Sequence, residues 1–121
     1  MRAIWTPVTV AATLLCFLSP GSSAAEQADD GATFNRDVLP VLQRSCQQCH
    51  RPGTGAPMSL LTYEDVRPWA RAIRERVVAR QMPPWHADRS IGTYVADPSL
   101  SDREITTIAA WVAAGAPRGN P

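Results

Sequence analysis

Apolar residues recur at helical spacing in three stretches of the chain, and the first stretch lies before residue 46. Positions i, i+3, i+4 and i+7 of one helical face are occupied there by Val38, Val41, Leu42 and Ser45. This pattern predicts a helix that starts between Asn35 and Asp37 and runs to about Cys46. Pro40 is compatible with the helix if Asp37 is the N-cap, because a first-turn proline has no intrahelical hydrogen bond to lose.

The second stretch follows a helix-capping signal. Thr62, with an acid three residues later at Asp65, is typical of a helix N-terminus. From Trp69 every fourth residue is apolar and arginines lie between, which predicts an amphipathic helix from Trp69 to about Arg80. The helix ends before the motif Met82-Pro83-Pro84-Trp85, because consecutive prolines cannot continue it.

The third stretch has the clearest helix boundaries. A capping box at residues 101–104 begins it, and Gly115 and Pro117 end it. Its apolar face is formed by Ile105, Ile108, Ala109 and Val112. Loops at 51–59 and 86–100 separate the stretches, and no alternating apolar and polar run predicts a strand. The expected fold class is therefore all-α, with three to four short helices.

Residues 1–25 differ in composition from the rest of the chain. A basic start precedes an uncharged, mostly apolar run of about 15 residues, and small residues follow, as in a secretory signal peptide. The run is short for spanning a bilayer. We predict cleavage after Ala25, with Ala24 as a near-equal site and an uncleaved membrane anchor as the alternative. Residues 26–32 then form a flexible leader, and residues 33–121 form the domain.

Cleavage would leave about 96 residues and would bring the net charge from +1 to about zero. A domain of this size is only marginally stable on its own core, so a large apolar prosthetic group would help it fold. There is no basic stripe, and nucleic acid is not an expected partner. Cys16 lies in the apolar run, so Cys46 and Cys49 would be the cysteines that remain. We expect a periplasmic or secreted protein without a stable membrane span after cleavage.

The candidate chemistry is concentrated in the motif Cys46-Gln47-Gln48-Cys49-His50. This is the C-x-x-C-H spacing of haem attachment. Two thiols three positions apart at a helix end can reach the two vinyl groups of one haem and form thioethers. The adjacent histidine then coordinates the iron. We therefore predict one covalently bound haem c, with Cys46 and Cys49 as the attachment residues and His50 as an axial ligand.

Three other chemistries use a similar cysteine spacing and remain alternatives. A thioredoxin-like redox pair is expected in a βαβ context, which the sequence lacks. Structural zinc needs four ligands, and the adjacent Cys49 and His50 give a poor zinc spacing. A disulfide between Cys46 and Cys49 would leave His50 without a role.

The sixth iron ligand is expected among Met58, Met82 and His86. Met58 follows His50 closely and so belongs on the same side of the haem. Met82 comes 32 residues after His50, beyond a helix and in a turn stiffened by proline. A rigid turn can hold a weak thioether ligand, so Met82 is the predicted ligand. His86 and an open site are the alternatives.

Other residues are expected to orient and bind the haem. His50 should donate its second ring N–H to a backbone carbonyl, with Pro57 as the candidate acceptor and Pro52 as the alternative. Three tryptophans are candidates to line the haem or to donate to its propionates, namely Trp69, Trp85 and Trp111. Trp85 is the one predicted to bind the cofactor, and a core position is an equal alternative for Trp111. Three arginines are candidates either to pair with the haem propionates or to lie on a solvated helix face, namely Arg71, Arg74 and Arg80.

Five segments together resemble a family of bacterial cytochrome c-like haem domains, namely residues 34–40, 46–53, 56–65, 82–85 and 110–117. The haem motif is shared by all c-type cytochromes, but the combination is more specific. The resemblance implies a class I-like cytochrome c fold, in which the first and last helices cross and the iron has His and Met axial ligands. Members of the family stand alone or are fused to periplasmic modules such as copper-dependent monooxygenases and thioredoxin-like domains.

The expected function is electron transfer by a periplasmic mono-haem cytochrome. No acid–base constellation accompanies the haem motif, so the protein is expected to be a carrier and not an enzyme. We expect a monomer that meets a separate redox partner protein in transient complexes. The alternative is a haem subunit or sensor with an open sixth site, serving a separate periplasmic enzyme. The sixth ligand distinguishes the two, because a six-coordinate haem favours electron transfer and an open site favours ligand binding.

Overall fold

Helices provide all the regular secondary structure in the part of the chain that the computed structural model describes, residues 31–88 and 90–121. The all-α prediction is confirmed for these residues. The predicted signal peptide and residues 26–30 of the predicted leader lie outside them. Within the described part, every helix is too short or too polar to cross a bilayer.

The first helical segment begins at Phe34, close to the predicted start. A π-helical turn, Phe34–Val38, leads into helix α1, Leu39–Ser45. The N-cap of the π-helical turn is Thr33 and not Asp37, and Pro40 lies in the first turn of α1. Asp37 lies inside the first turn, where its carboxylate accepts a hydrogen bond from the Thr33 N–H at 2.6 Å.

The second segment begins at the predicted capping signal. Helix α2, Tyr63–Val66, carries the capping box of Thr62 and Asp65. A 3₁₀ turn, Arg67–Trp69, connects it to helix α3, Ala70–Val78. Helix α3 buries Ala70, Ile73 and Val77 against the core. It ends two residues before the predicted boundary, and Arg80 beyond it has a left-handed backbone with φ of +53°.

The last helix, α4, spans Asp102–Ala113 and has the predicted capping box of Ser101 and Glu104. Ile108 and Trp111 are fully buried. Gly115, with φ of +86°, follows the helix in the left-handed conformation that glycine adopts without strain. Trp111 is therefore a core residue, one of the two roles open to it from the sequence.

The first and last helical segments meet at their aromatic residues. The rings of Phe34 and Trp111 lie 6.1 Å apart, and Tyr63 packs edge-on to Phe34 at 5.4 Å. The Phe34 N–H and the Trp111 indole N–H both donate to the Pro117 carbonyl, each at 2.9 Å. This packing holds the first and last helical segments together.

Candidate functional site

A cleft of about 290 Å³ lies between the end of α1, the loop that follows it and α3. Leu60, Ile73 and Val77 belong to the buried core and line the cleft, so apolar groups form much of its surface. Trp69 also lines it and is 44% exposed. The cleft is therefore apolar inside and open to solvent at its edge, as expected of a site for a large apolar group.

The C-x-x-C-H motif forms one wall of this cleft. The chain continues past α1 in a further turn, in which the Cys49 and His50 N–H groups both donate to the Cys46 carbonyl, at 3.1 and 2.9 Å. All three side chains line the cleft. Both cysteines are free thiols, Cys46 partly buried and Cys49 exposed. The turn thus places Cys46, Cys49 and His50 together at one wall of the cleft.

The two thiols differ in their surroundings. Burial raises the pKa of the Cys46 thiol to about 11, although the positive charge of Arg44 acts in the opposite direction. Cys46 is therefore protonated at neutral pH.

The His50 ring is held by the loop that follows the motif. Its Nδ1 lies 3.2 Å from the Met58 carbonyl oxygen. The partner is therefore Met58, and neither the predicted Pro57 nor the alternative Pro52. The loop folds back so that the Leu60 N–H donates to the His50 carbonyl at 3.0 Å, and this brings the Met58 carbonyl to the ring. Pro57 itself lines the cleft.

Met82 reaches the same cleft from the turn after α3. The Gln81 and Met82 N–H groups both donate to the Arg76 carbonyl, at 2.9 and 3.3 Å, which ties this turn to the end of the helix. The Met58 side chain also lines the cleft, on the loop that carries the acceptor for His50. A methionine from the turn after α3 and a methionine from the loop after the C-x-x-C-H motif therefore both line the cleft.

Trp85 and His86 lie in a neighbouring cavity of about 330 Å³ and do not line the cleft. Met82 lines both spaces. The chain turns sharply after Pro83, where the Trp85 N–H donates to the Pro83 carbonyl at 2.8 Å, and Trp85 then packs edge-on to Tyr94. Of the two candidate distal ligands, the structure brings Met82 to the motif and leaves His86 outside.

Arg76 lines the cleft, although it was not among the arginines selected from the sequence. Helical spacing could have found it, because Arg76 comes three residues after Ile73 and seven after Trp69 and so shares their face. Arg71 and Arg74 do not line the cleft. Arg80 forms an ion pair with Asp102 at the start of α4.

Ser45, which the sequence placed only on the buried face of the first helix, is a second cleft residue that was not predicted to take part in a site. It is 8% exposed, and its hydroxyl has no hydrogen-bond partner within the described part of the chain. A buried hydroxyl without a partner costs roughly 1–3 kcal/mol. A bound group that offers an acceptor at this position would remove that cost.

No protein-family model matches this chain, and no curated protein and no solved structure matches it either. The resemblance to bacterial cytochrome c-like haem domains therefore depends on the motifs in the sequence itself.

Proposed function

We propose that this protein is a periplasmic mono-haem c-type cytochrome that transfers electrons. The observation that carries the proposal is the convergence of Cys46, Cys49, His50 and Met82 on one apolar cleft. These residues come from two segments that are distant in the chain. Two thiols for attachment, with an imidazole and a thioether as iron ligands, are the groups that hold a covalent His/Met-ligated haem.

The residues around the cleft fit haem better than the alternatives. The described residues contain no strand, so the βαβ context of a thioredoxin-like pair is missing there. Nowhere in residues 31–88 and 90–121 do three or more His, Cys, Asp or Glu side chains gather as metal ligands, and structural zinc needs four. The unpartnered Ser45 hydroxyl is consistent with a group that fills the cleft.

Each chain residue has a distinct role in this proposal. The Cys46 and Cys49 sulfurs would each form a thioether bond with a vinyl carbon, and the thiol proton would pass to the other carbon of that vinyl group. His50 would coordinate through Nε2, because its Nδ1 is engaged with the Met58 carbonyl. Bound haem would supply a one-electron couple.

Met82 would supply the second protein ligand to the iron. A thioether ligand raises the reduction potential of a haem relative to a second histidine. The two hydrogen bonds from Gln81 and Met82 to the Arg76 carbonyl would hold the turn and its weak ligand in place. A fixed six-coordinate site favours electron transfer over ligand binding.

The apolar residues would exclude water from most of the site. Ile73 and Val77 are buried and line the cleft, whereas Trp69 and Met82 are 44% and 39% exposed. An open edge of this kind would let a partner protein approach closely enough for electron transfer. The near-zero net charge of the mature chain predicts weak electrostatic steering toward that partner.

The central test is whether the chain carries haem c. Expression with periplasmic haem-maturation machinery should give a c-type pyridine haemochrome spectrum, and the haem should stay on the chain in a denaturing gel. The double variant Cys46→Ser, Cys49→Ser should lose it. Cys16→Ser is the matched control and should keep it, because Cys16 lies in the predicted signal peptide. A wild-type spectrum without the c-type signature would contradict the proposal.

A further inference from the structure

Arg76 is the one arginine among the described residues that lines the cleft. It lies on α3 next to the buried Val77 and faces the same space as Cys46 and Met82. Its Nη1 donates to the Gln81 side-chain oxygen at 2.5 Å. A positive charge is thus held at the wall of an otherwise largely apolar site.

The hydrogen bond to Gln81 leaves Arg76 with most of its donors unused. A guanidinium has five N–H donors in a planar fork that matches a carboxylate. Its partner Gln81 is neutral, so the positive charge of Arg76 is not compensated by this contact. Arg36, Arg44, Arg80 and Arg118, by contrast, each form an ion pair with an acidic side chain.

The backbone of Arg76 is also fixed. Its carbonyl accepts hydrogen bonds from Gln81 and Met82, and its side chain bonds to Gln81, so both ends of the residue are tied to the same turn. The guanidinium is therefore tied to the turn that carries the proposed ligand Met82.

We propose that Arg76 pairs with a haem carboxylate and thereby stabilises the ferrous state. This inference rests on the proposed function. Haem brings two carboxylates, and an uncompensated negative charge beside the iron favours the ferric state. A guanidinium that offsets this charge shifts the equilibrium toward ferrous iron. The Gln81 contact ties the guanidinium to the turn that carries Met82, so Arg76 would act on the haem carboxylate and not as an iron ligand.

The test compares Arg76→Gln with Arg74→Gln in the haem-loaded protein. Both arginines lie exposed on α3, but Arg74 does not line the cleft. In a spectroelectrochemical titration, Arg76→Gln should lower the ferrous-to-ferric ratio at a fixed electrode potential by about two- to fivefold, the effect of one solvent-screened charge at close range. Arg74→Gln should change the ratio much less, and Arg76→Lys should retain part of the wild-type effect.

Several outcomes separate this inference from the function it rests on. Equal shifts in Arg76→Gln and Arg74→Gln would overturn the role of Arg76 and leave the cytochrome proposal intact. Loss of the methionine-to-ferric-haem charge-transfer band in Arg76→Gln would also overturn it, since the side chain would then act on the Met82 turn. Absence of a c-type spectrum in the wild-type protein would instead reject the proposed function.

Discussion

Two methionines line the same cleft, and their surroundings give them different roles. The Met58 carbonyl is the hydrogen-bond partner of His50, which associates that segment with the histidine side of the proposed haem. Met82 comes from the turn after α3, on a separate segment. His86, the other candidate ligand, lines the neighbouring cavity. At the scale of single residues, the choice between the two proposed functions therefore depends on Met82. If Met82 binds the iron, the protein is an electron carrier, and if it does not, the haem has an open site.

Met82→Ala should abolish the methionine-to-ferric-haem charge-transfer band of the haem-loaded protein and lower its reduction potential, because a thioether ligand favours ferrous iron. Absorption spectra of the oxidised protein, with a potentiometric titration, measure both effects. Met58→Ala is the matched control, since it removes the other cleft thioether but keeps the carbonyl that holds His50. The band should survive in that variant and in His86→Ala.

Survival of the band in Met82→Ala would show that another residue binds the iron. A wild-type protein that lacks the band and binds carbon monoxide readily would instead support the sensor or subunit function.

At the scale of helices, two capping boxes determine where α2 and α4 begin. In the second box, the Glu104 carboxylate accepts hydrogen bonds from the Ser101 N–H and hydroxyl, both at 2.8 Å. It also accepts one from Arg44 at 2.6 Å, which joins the start of α4 to α1. Burial opposes ionisation of Glu104, but these hydrogen bonds outweigh it and hold the pKa of the carboxyl below its ordinary value of 4.5.

Glu104→Gln should destabilise the folded protein by about 1 kcal/mol at neutral pH, the usual cost of a damaged helix cap. Because the folded-state pKa of Glu104 is lowered, its stabilisation is complete above pH 4.5 and is lost as the pH falls through the folded-state value. The variant should therefore lose less stability than wild type on acidification below that pH. Urea unfolding of the haem-loaded protein at a series of pH values measures this difference.

Glu75→Gln is the control for this experiment, because Glu75 is an exposed residue of α3 outside any capping box. It should leave both the neutral stability and the acid dependence close to wild type. An acid dependence of Glu104→Gln identical to that of wild type would count against the capping interpretation.

At the scale of the whole molecule, the C-terminal segment closes the domain against its first helix. The Pro117 carbonyl accepts from Phe34 and Trp111, and the Asn35 N–H donates to the Arg118 carbonyl at 3.0 Å. Arg118 also pairs with Glu64 at 3.0 Å. These contacts connect the start of the described chain, α2 and the end of α4, so the walls of the cleft are held by interactions distant from it.

Trp111→Phe should lower the free energy of unfolding by about 1–3 kcal/mol, because it reduces buried volume and removes the donor to Pro117. The haem spectrum should stay unchanged, since Trp111 does not line the cleft. Denaturant unfolding and absorption spectra of the haem-loaded variant measure the two properties.

Thr106→Ala provides the comparison for Trp111, since Thr106 is exposed on the same helix and its replacement should cost no more than about 0.5 kcal/mol. Equal stabilities of the two variants would contradict the role assigned to Trp111 in closing the domain.

Local sequence patterns predicted most of the helical structure. Thr62 with Asp65 and Ser101 with Glu104 form capping boxes at the predicted positions. Ile73, Val77 and Ile108 are buried as their spacing requires. Such features depend on residues three or four positions apart, whose interactions are decided within a single helix. The C-x-x-C-H motif is local in the same sense, so its residues could be selected before any fold was known.

The sequence by itself determined the all-α class, the main helix boundaries and the motif that points to haem. Only the tertiary structure decided which residues from separate segments share the cleft with that motif. It brought Met82 and Arg76 to the cleft, left Trp85 outside, and made Met58 rather than Pro57 the partner of His50. The physical reason is that the position of Met58 depends on how the loop after His50 folds back, and the position of Met82 depends on how the turn leaves α3. Both depend on long-range packing and on hydrogen bonds that sequence spacing does not encode.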